Sequence, residues 1–258
     1  MSALSLQPGH VLAVWRRNFL VWKQLAAASM LGNFGDPFLY LLGLGYGLGH
    51  YIGDMSGIPY MAYLASGILC SSAMNTATFE GLYSAFTRMN QQGTWESMLA
   101  TPVRINEIIA GEQMWAASKS LISGTAIFIV AGLLGAIQQW DTALLALPVI
   151  FLIGLAFAGP ALAFCAVSPS YDFFLYYFTL AITPMFLFCG VFYPLDTLPA
   201  AVQDFAQILP LTHAVALVRP LLTEMPLTEP WLHAGVLAAY AIGGFLLATR
   251  LATRRLLR

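Results

Sequence analysis

LLALPVIFLIGLAFAGPALAFCAV, residues 144–167, carries no charged side chain over a length sufficient to cross a bilayer. A helical crossing takes about 20 mostly apolar residues, because the hydrocarbon core is about 30 Å thick. The surrounding 258-residue chain has the same character: 59% of its residues are hydrophobic and 9% are charged. Soluble domains usually carry about 25% charged residues. A chain so poor in charge cannot cover a surface that meets water on every side. The expected class is an all-α integral membrane protein in a single domain, residues 1–258, with six transmembrane helices and no separate soluble domain.

Outward from that fourth span, the third covers 108–137, with Glu112 and Lys119 early in it. The second covers 60–86, with Glu80 near its end. The first covers 25–51; Asp36-Pro37 predicts a kink there, since proline removes a backbone donor, and glycines at 43, 45, 47 and 49 form overlapping GxxxG steps. Downstream, a tight turn at 168–172 leads to the fifth span, 173–192, and the sixth covers 231–249. Residues 10–24 read as an amphipathic interfacial helix, with Val11, Trp15, Phe19 and Trp22 on one face and Arg16, Arg17 and Lys23 on the other. Asn18 interrupts the apolar face. Between spans five and six, 193–230 holds six of the chain's 14 prolines. Its apolar runs are too short to span, which predicts half-inserted or surface helices.

Charge sets the orientation. Arg16, Arg17, Lys23, Arg88, Arg104, Arg250, Arg254, Arg255 and Arg258, nine of the eleven cations, fall on one side of this six-span scheme. The other side holds Asp54, Asp141, Asp196, Asp204, Glu224 and Glu229, with Arg219 as its one cation. The positive-inside rule places the basic side and both termini in the cytoplasm.

The longest polar stretch, 87–107, lies on that basic side. Thr94 is placed to cap a short helix starting at Trp95, in which Trp95, Met98 and Leu99 share a face and which Pro102 ends. Such a helix either docks into a soluble partner or rests on lipid with Trp95 as anchor. Ionisable groups at membrane depth invite a functional reading. Glu112 and Lys119 lie two turns apart on one helix, with Glu80 at similar depth on its neighbour. They form a structural Glu80–Lys119 or Glu112–Lys119 bridge, or a proton relay. The aromatic runs YDFFLYYF (171–178) and FLFCGVFY (186–193) are an interfacial belt or the wall of a transport path.

Several chemistries are excluded. Cys70, Cys165 and Cys189 are isolated in apolar surroundings, and the four histidines have no zinc-type spacing. No GxSxG, HExxH or paired acidic motif occurs. Neither lysine follows a glycine-rich stretch, so any ATP-driven transport needs an ATPase on another chain.

Five segments together carry a family resemblance: PFLYLLGLGYGLG (37–49), SAMNTATFEGLYSAFTRM (72–89), TWESMLATPVRINEIIAGE (94–112), SPSYDFFLYYFTLAITP (168–184) and GVFYPLDTLPAAVQDFAQILPLTHAVALVRPLL (190–222). They resemble the permease subunit of type-2 ABC exporters, in particular the permeases of lipo-oligosaccharide (nodulation-factor) exporters, over about residues 10 to 250. The resemblance implies a cytoplasmic coupling helix at 93–101, with Trp95, Glu96, Met98 and Leu99 facing the ATPase cleft. It also implies external re-entrant helices before the last span and a homodimer joined to two copies of a P-loop ATPase. No cofactor or metal is expected on this chain, and no catalytic residue; Mg-ATP belongs to the partner. The path runs between protomers along spans 1, 2 and 5, with Phe38, Tyr176, Tyr177, Phe188 and Phe192 as candidate lining.

The expected function is therefore export of a lipid-linked or oligosaccharide-type substrate across a bacterial inner membrane. Membrane lipid is a partner and nucleic acid is not. The alternatives are efflux of drugs or small amphiphiles by the same machinery, and a proton-coupled carrier using Glu80, Glu112 and Lys119. Against the carrier, spans 1–3 and 4–6 show no internal similarity, which inverted-repeat transporters often retain.

Overall fold

The computed structural model describes residues 6–24, 26 and 38–257. Its described residues are mostly helical. Helix α1 is Pro8–Gln24. Helix α2, residues 38–52, contains the widened π-helical run Leu41–Leu48. A tight hairpin follows, pairing β1 (Asp54–Met55) with β2 (Ile58–Pro59). Ser56 and Gly57 both have positive φ (53° and 82°), as a two-residue turn of the mirror-image type I class requires. Helix α3 runs without a break from residue 60 to 91, and α4 is Thr94–Leu99. Then come α5 (Ile105–Leu133), α6 (Trp140–Val167) and α7 (Phe173–Phe188). Helices α8 (Ala200–Ile208) and α9 (Pro210–Leu222) meet at 86°, and α10 is Pro230–Leu256.

Among the described residues, α5, α6 and α10 are long and apolar enough to cross a membrane, and α8 with α9 reach that measure only as a bent pair. Helix α3 is long enough but diluted by Ser66, Ser71, Ser72, Thr76 and Thr78, all buried. Their hydroxyls are mostly absorbed inside the bundle. Ser66 and Ser71 donate to carbonyls one turn back, Ser72 meets Ser123 of α5 at 3.2 Å, and Ser120 of α5 donates to the Ala73 carbonyl at 2.9 Å. A central helix shielded by neighbours tolerates polarity that a lipid-facing one does not.

Several expected boundaries move. The second span was expected to end at 86, but α3 continues to residue 91, so Arg88 and Met89 sit on the helix rather than in the loop. Two π-helical segments, Glu80–Ser84 and Thr87–Gln91, carry it past that point. Helix α7, in the place of the expected fifth span, ends at Phe188, four residues early, and Gly190 turns the chain at φ 76°. The basic tail is helical to Leu256. The expected Asp36-Pro37 kink and the first half of span 1 lie outside the described residues.

Helix α1 lies along α5, burying Val11, Val14 and Asn18. Trp15, Phe19 and Trp22 gather around Trp115 of α5, with ring centroids 5.8–6.3 Å apart. The aromatic face expected to meet lipid is thus spent on the chain's own third span. Asn18 falls on that same face; its carbonyl oxygen accepts from Arg17.

The tightest crossing is between α6 and α10. A Cβ on Gly159 would sit 3.0 Å from the Gly244 Cα, and one on Gly244 would sit 2.5 Å from the Pro160 ring. Only glycine admits that approach, and small residues at crossings are how membrane helices gain van der Waals contact. Gln113 of α5 braces the crossing by donating to the Leu155 carbonyl (2.9 Å) and the Ala241 carbonyl (3.0 Å).

At the other end of the bundle, α9 lies against the start of α3. Arg219 donates to the Ser66 hydroxyl (3.0 Å), the Tyr63 carbonyl (3.3 Å) and the Gly190 carbonyl (2.7 Å). Its guanidinium lies 3.5 Å over the Tyr63 ring centroid, and the Tyr63 hydroxyl also donates to Gly190.

Candidate functional site

The chemistry concentrates where α3, α4 and α5 meet. Gly93 has a left-handed backbone (φ 59°) and reverses the chain after α3. The short helix then starts at Thr94, so Thr94 is not the cap expected of it; its hydroxyl instead accepts from Arg17 of α1 at 3.3 Å. Trp95, expected to project toward a partner, is fully buried. It packs among Phe86, Met89, Ile105, Ile108 and Ile109, and its indole N–H donates to Glu112 at 3.2 Å. Of the expected i, i+3, i+4 face, Trp95 turns into the protein. Met98 and Leu99 are half-buried at its edges, and Glu96, Ser97 and Ala100 are the exposed residues.

Behind Trp95 lies a closed array of charges. Arg88 spans two carboxylates: its Nε donates to Glu112 Oε1 (3.0 Å), and its Nη1 lies 2.9 Å from Glu80 Oε1. Its Nη2 completes a bidentate pair on Glu112. Lys119 Nζ donates to Glu80 Oε2 at 2.8 Å, and the Trp115 indole donates to Glu80 Oε1 at 3.0 Å. Both carboxylates are buried, and the Arg88 and Lys119 side chains are only 11% and 13% exposed. Two anions and two cations cancel, which is how buried charge is tolerated. Of the two expected bridges, Glu80–Lys119 forms; Glu112 pairs with Arg88 instead. The sequence reading missed Arg88 by leaving it in the loop. The signal was its spacing of two helical turns from Glu80.

A second tie joins α1 to α5. Glu107 accepts from the backbone N–H of Gln7 (2.9 Å) and of Arg104 (2.8 Å), and meets the His10 ring at 2.8 Å. Together with Arg17–Thr94 and the Trp115 cluster, it makes α1, α4 and the ends of α3 and α5 nearest α4 one connected unit.

The candidate path residues do not form one cluster. Phe192 joins Tyr40 and Phe186, with centroids 6.2 and 4.8 Å away. Tyr177 packs on Phe164 (5.1 Å) near the opposite end of α7, and Tyr176 lies beside Phe173 (5.7 Å). Phe38 is 43% exposed, and neither it nor Phe188 joins those ring contacts. On α3, Asn75 and Phe79 are exposed one turn apart, unlike the buried residues around them. Among the described residues no group of three or more His, Cys, Asp or Glu could hold a metal.

Comparison with known proteins adds four findings. The family model described as "ABC-2 type transporter" matches residues 9–222. "Nodulation protein J" of Rhizobium leguminosarum bv. viciae is 49% identical over 247 residues, covering 96% of this chain and 95% of that protein. The protein of the same name from Rhizobium meliloti is 46% identical over 257 residues, covering 100% and 98%. "Inner membrane transport permease YadH" of Escherichia coli is 25% identical over 245 residues, covering 94% of each.

Proposed function

The chain belongs to the ABC-2 type transporter family as a permease subunit, and from that premise we propose that it exports an amphipathic, lipid-linked oligosaccharide from a bacterial inner membrane. The relatives named for nodulation support that cargo class. In this reading six spans cross the membrane, both termini face the cytoplasm and α8–α9 form a re-entrant pair outside. Two copies join two copies of a P-loop ATPase that holds Mg-ATP. The excess of basic residues on the side of α1, α4 and the C-terminal tail supports the orientation.

Coupling then begins at the exposed face of α4, Glu96 and Ser97 flanked by Met98 and Leu99. The observation that carries the reading is the buried chain of contacts from Trp95 through Glu112 and Arg88 to Glu80 and Lys119. A push on α4 reaches α3 and α5 through hydrogen-bonded charges rather than through a flexible loop. Asn75 and Phe79, exposed on α3, suit a polar and apolar lining between two copies, since an amide facing lipid is costly.

The test is substrate-stimulated ATP hydrolysis by the reconstituted complex, together with co-purification of the two subunits. Glu96→Arg with Ser97→Arg should weaken both while leaving the permease folded, because the two side chains are exposed. Normal stimulation and normal co-purification in that variant would remove α4 from the coupling route.

A further inference from the structure

We propose that His213 and His233 form an acid-released latch between the α8–α9 pair and the last helix. His213 lies in the first turn of α9 and His233 in the first turn of α10. Their Nδ1 atoms are 2.8 Å apart, and His213 Nε2 is 2.8 Å from the Gln207 carbonyl. His213 is buried, and His233 is partly open to the outside.

These two distances fix the protons. A carbonyl only accepts, so Nε2 of His213 carries hydrogen. In the neutral ring its Nδ1 is then a bare lone pair, and the facing Nδ1 of His233 must be the donor. The one vacant nitrogen left is Nε2 of His233. A first proton binds there without disturbing the contact: an imidazolium on α10 now donates to a neutral ring on α9, a stronger, charge-assisted bond. A second proton has one place to go, Nδ1 of His213. It sets two N–H groups head to head and two cations about 3 Å apart. The contact therefore holds through the first protonation and breaks at the second. The opened form binds more protons than the closed one, so the closed form loses stability as pH falls through that step.

The surroundings define what moves. Glu229, before α10, is the carboxylate whose field reaches His233. From α8 the pair meets the neutral Gln207 carbonyl. On α9 itself, Thr212 donates to the Ala206 carbonyl, and Cys189 at the end of α7 is bonded to Thr212. Tyr240 of α10 donates to the Ile208 carbonyl at 2.9 Å, a second polar tie from α10 to this pair of helices. Farther along α9, Arg219 is clamped to Ser66, Tyr63 and Gly190. Acid thus leaves the α8 end held to α10 through the Tyr240–Ile208 bond while the Arg219 end of α9 stays fixed, and α8 gains room to move away from the start of α10.

The test is a spin-label distance between Asp204→Cys on α8 and Trp231→Cys on α10, both exposed positions, in the full-length permease in nanodiscs. It is read between about pH 8 and about pH 5, the range in which histidines titrate. A single short distance should give way to a longer, broader distribution as pH falls. His213→Asn places an amide oxygen where the lone pair stood and accepts from either form of His233, so its distance should stay short at about pH 5. His233→Gln can turn its amide either to donate to or to accept from the facing ring, so its distance should also stay short at about pH 5. A wild-type distance unchanged across the range would overturn the latch. Opening at the same pH in both variants would overturn it equally, by assigning the transition to other groups.

Discussion

The two ends of α3 each hold a buried arginine, and the two are satisfied by opposite means. Arg88, at one end, is neutralised by Glu80 and Glu112. Arg219, docked against the other end, has only the hydroxyl of Ser66, two carbonyls and the Tyr63 ring. Among the described residues no carboxylate pairs with it. At the first end charge is balanced, so removing one member leaves others exposed to a low-dielectric interior. At the second, the acceptors are neutral groups that lose a hydrogen bond but acquire no naked charge. The array around Arg88 is the brittle one.

The largest effect should therefore come from Arg88→Leu. It strips the cation from Glu112 and one of two from Glu80, and removing one partner of a buried pair costs about 3–5 kcal/mol. Thermal unfolding in mild detergent should show a large loss of stability, and adding Glu112→Gln should recover part of it as a non-additive interaction. Full additivity would mean the two residues are not one unit. Arg219→Met breaks the comparison if it costs as much. The Gly190 carbonyl keeps the Tyr63 hydroxyl, so the expected loss is about 1–3 kcal/mol, the range for unsatisfied buried acceptors. Trp95→Phe is the smallest and sharpest test. It keeps a ring in the pocket and removes one indole bond to the Glu112 carboxylate, a change of about 1.5 kcal/mol, at the low end for bonds to charged groups because Arg88 still pairs with Glu112. Stability should stay near wild type while substrate-stimulated ATP hydrolysis falls. An unaltered coupling ratio would show that the indole bond does not transmit force.

Much of this was legible in the chain alone. Apolar runs of spanning length mark α5, α6 and α10, and proline density marks the broken region that becomes α8 and α9. The Glu80–Lys119 bridge followed from depth, because isolated charges there need partners. Three features were not legible, each for a physical reason. Arg88 was assigned to a polar loop because TRMNQQG carries no apolar periodicity, yet tertiary pairing holds that segment helical. Trp95 has an apolar face, but periodicity cannot say whether a face points to a partner or to the chain's own core. The histidine pair joins residues 20 apart on different helices, a meeting that only the α9–α10 geometry creates. The family resemblance added an expectation that periodicity could not, that 93–101 between spans 2 and 3 meets a partner.

The glycine crossing of α6 and α10 also bears on how the protein is made. Helix α6 is the most hydropathic of the three long apolar helices, so it can enter the bilayer as soon as it is synthesised. Its groove at Gly159 then waits for Gly244, and the Gln113 amide has the Leu155 carbonyl but lacks that of Ala241 until α10 leaves the ribosome. Assembly of the bundle therefore waits for a helix translated well after the groove it fills. A nascent chain stopped before α10 would hold inserted helices that have not yet locked together, an open intermediate for membrane quality control to recognise.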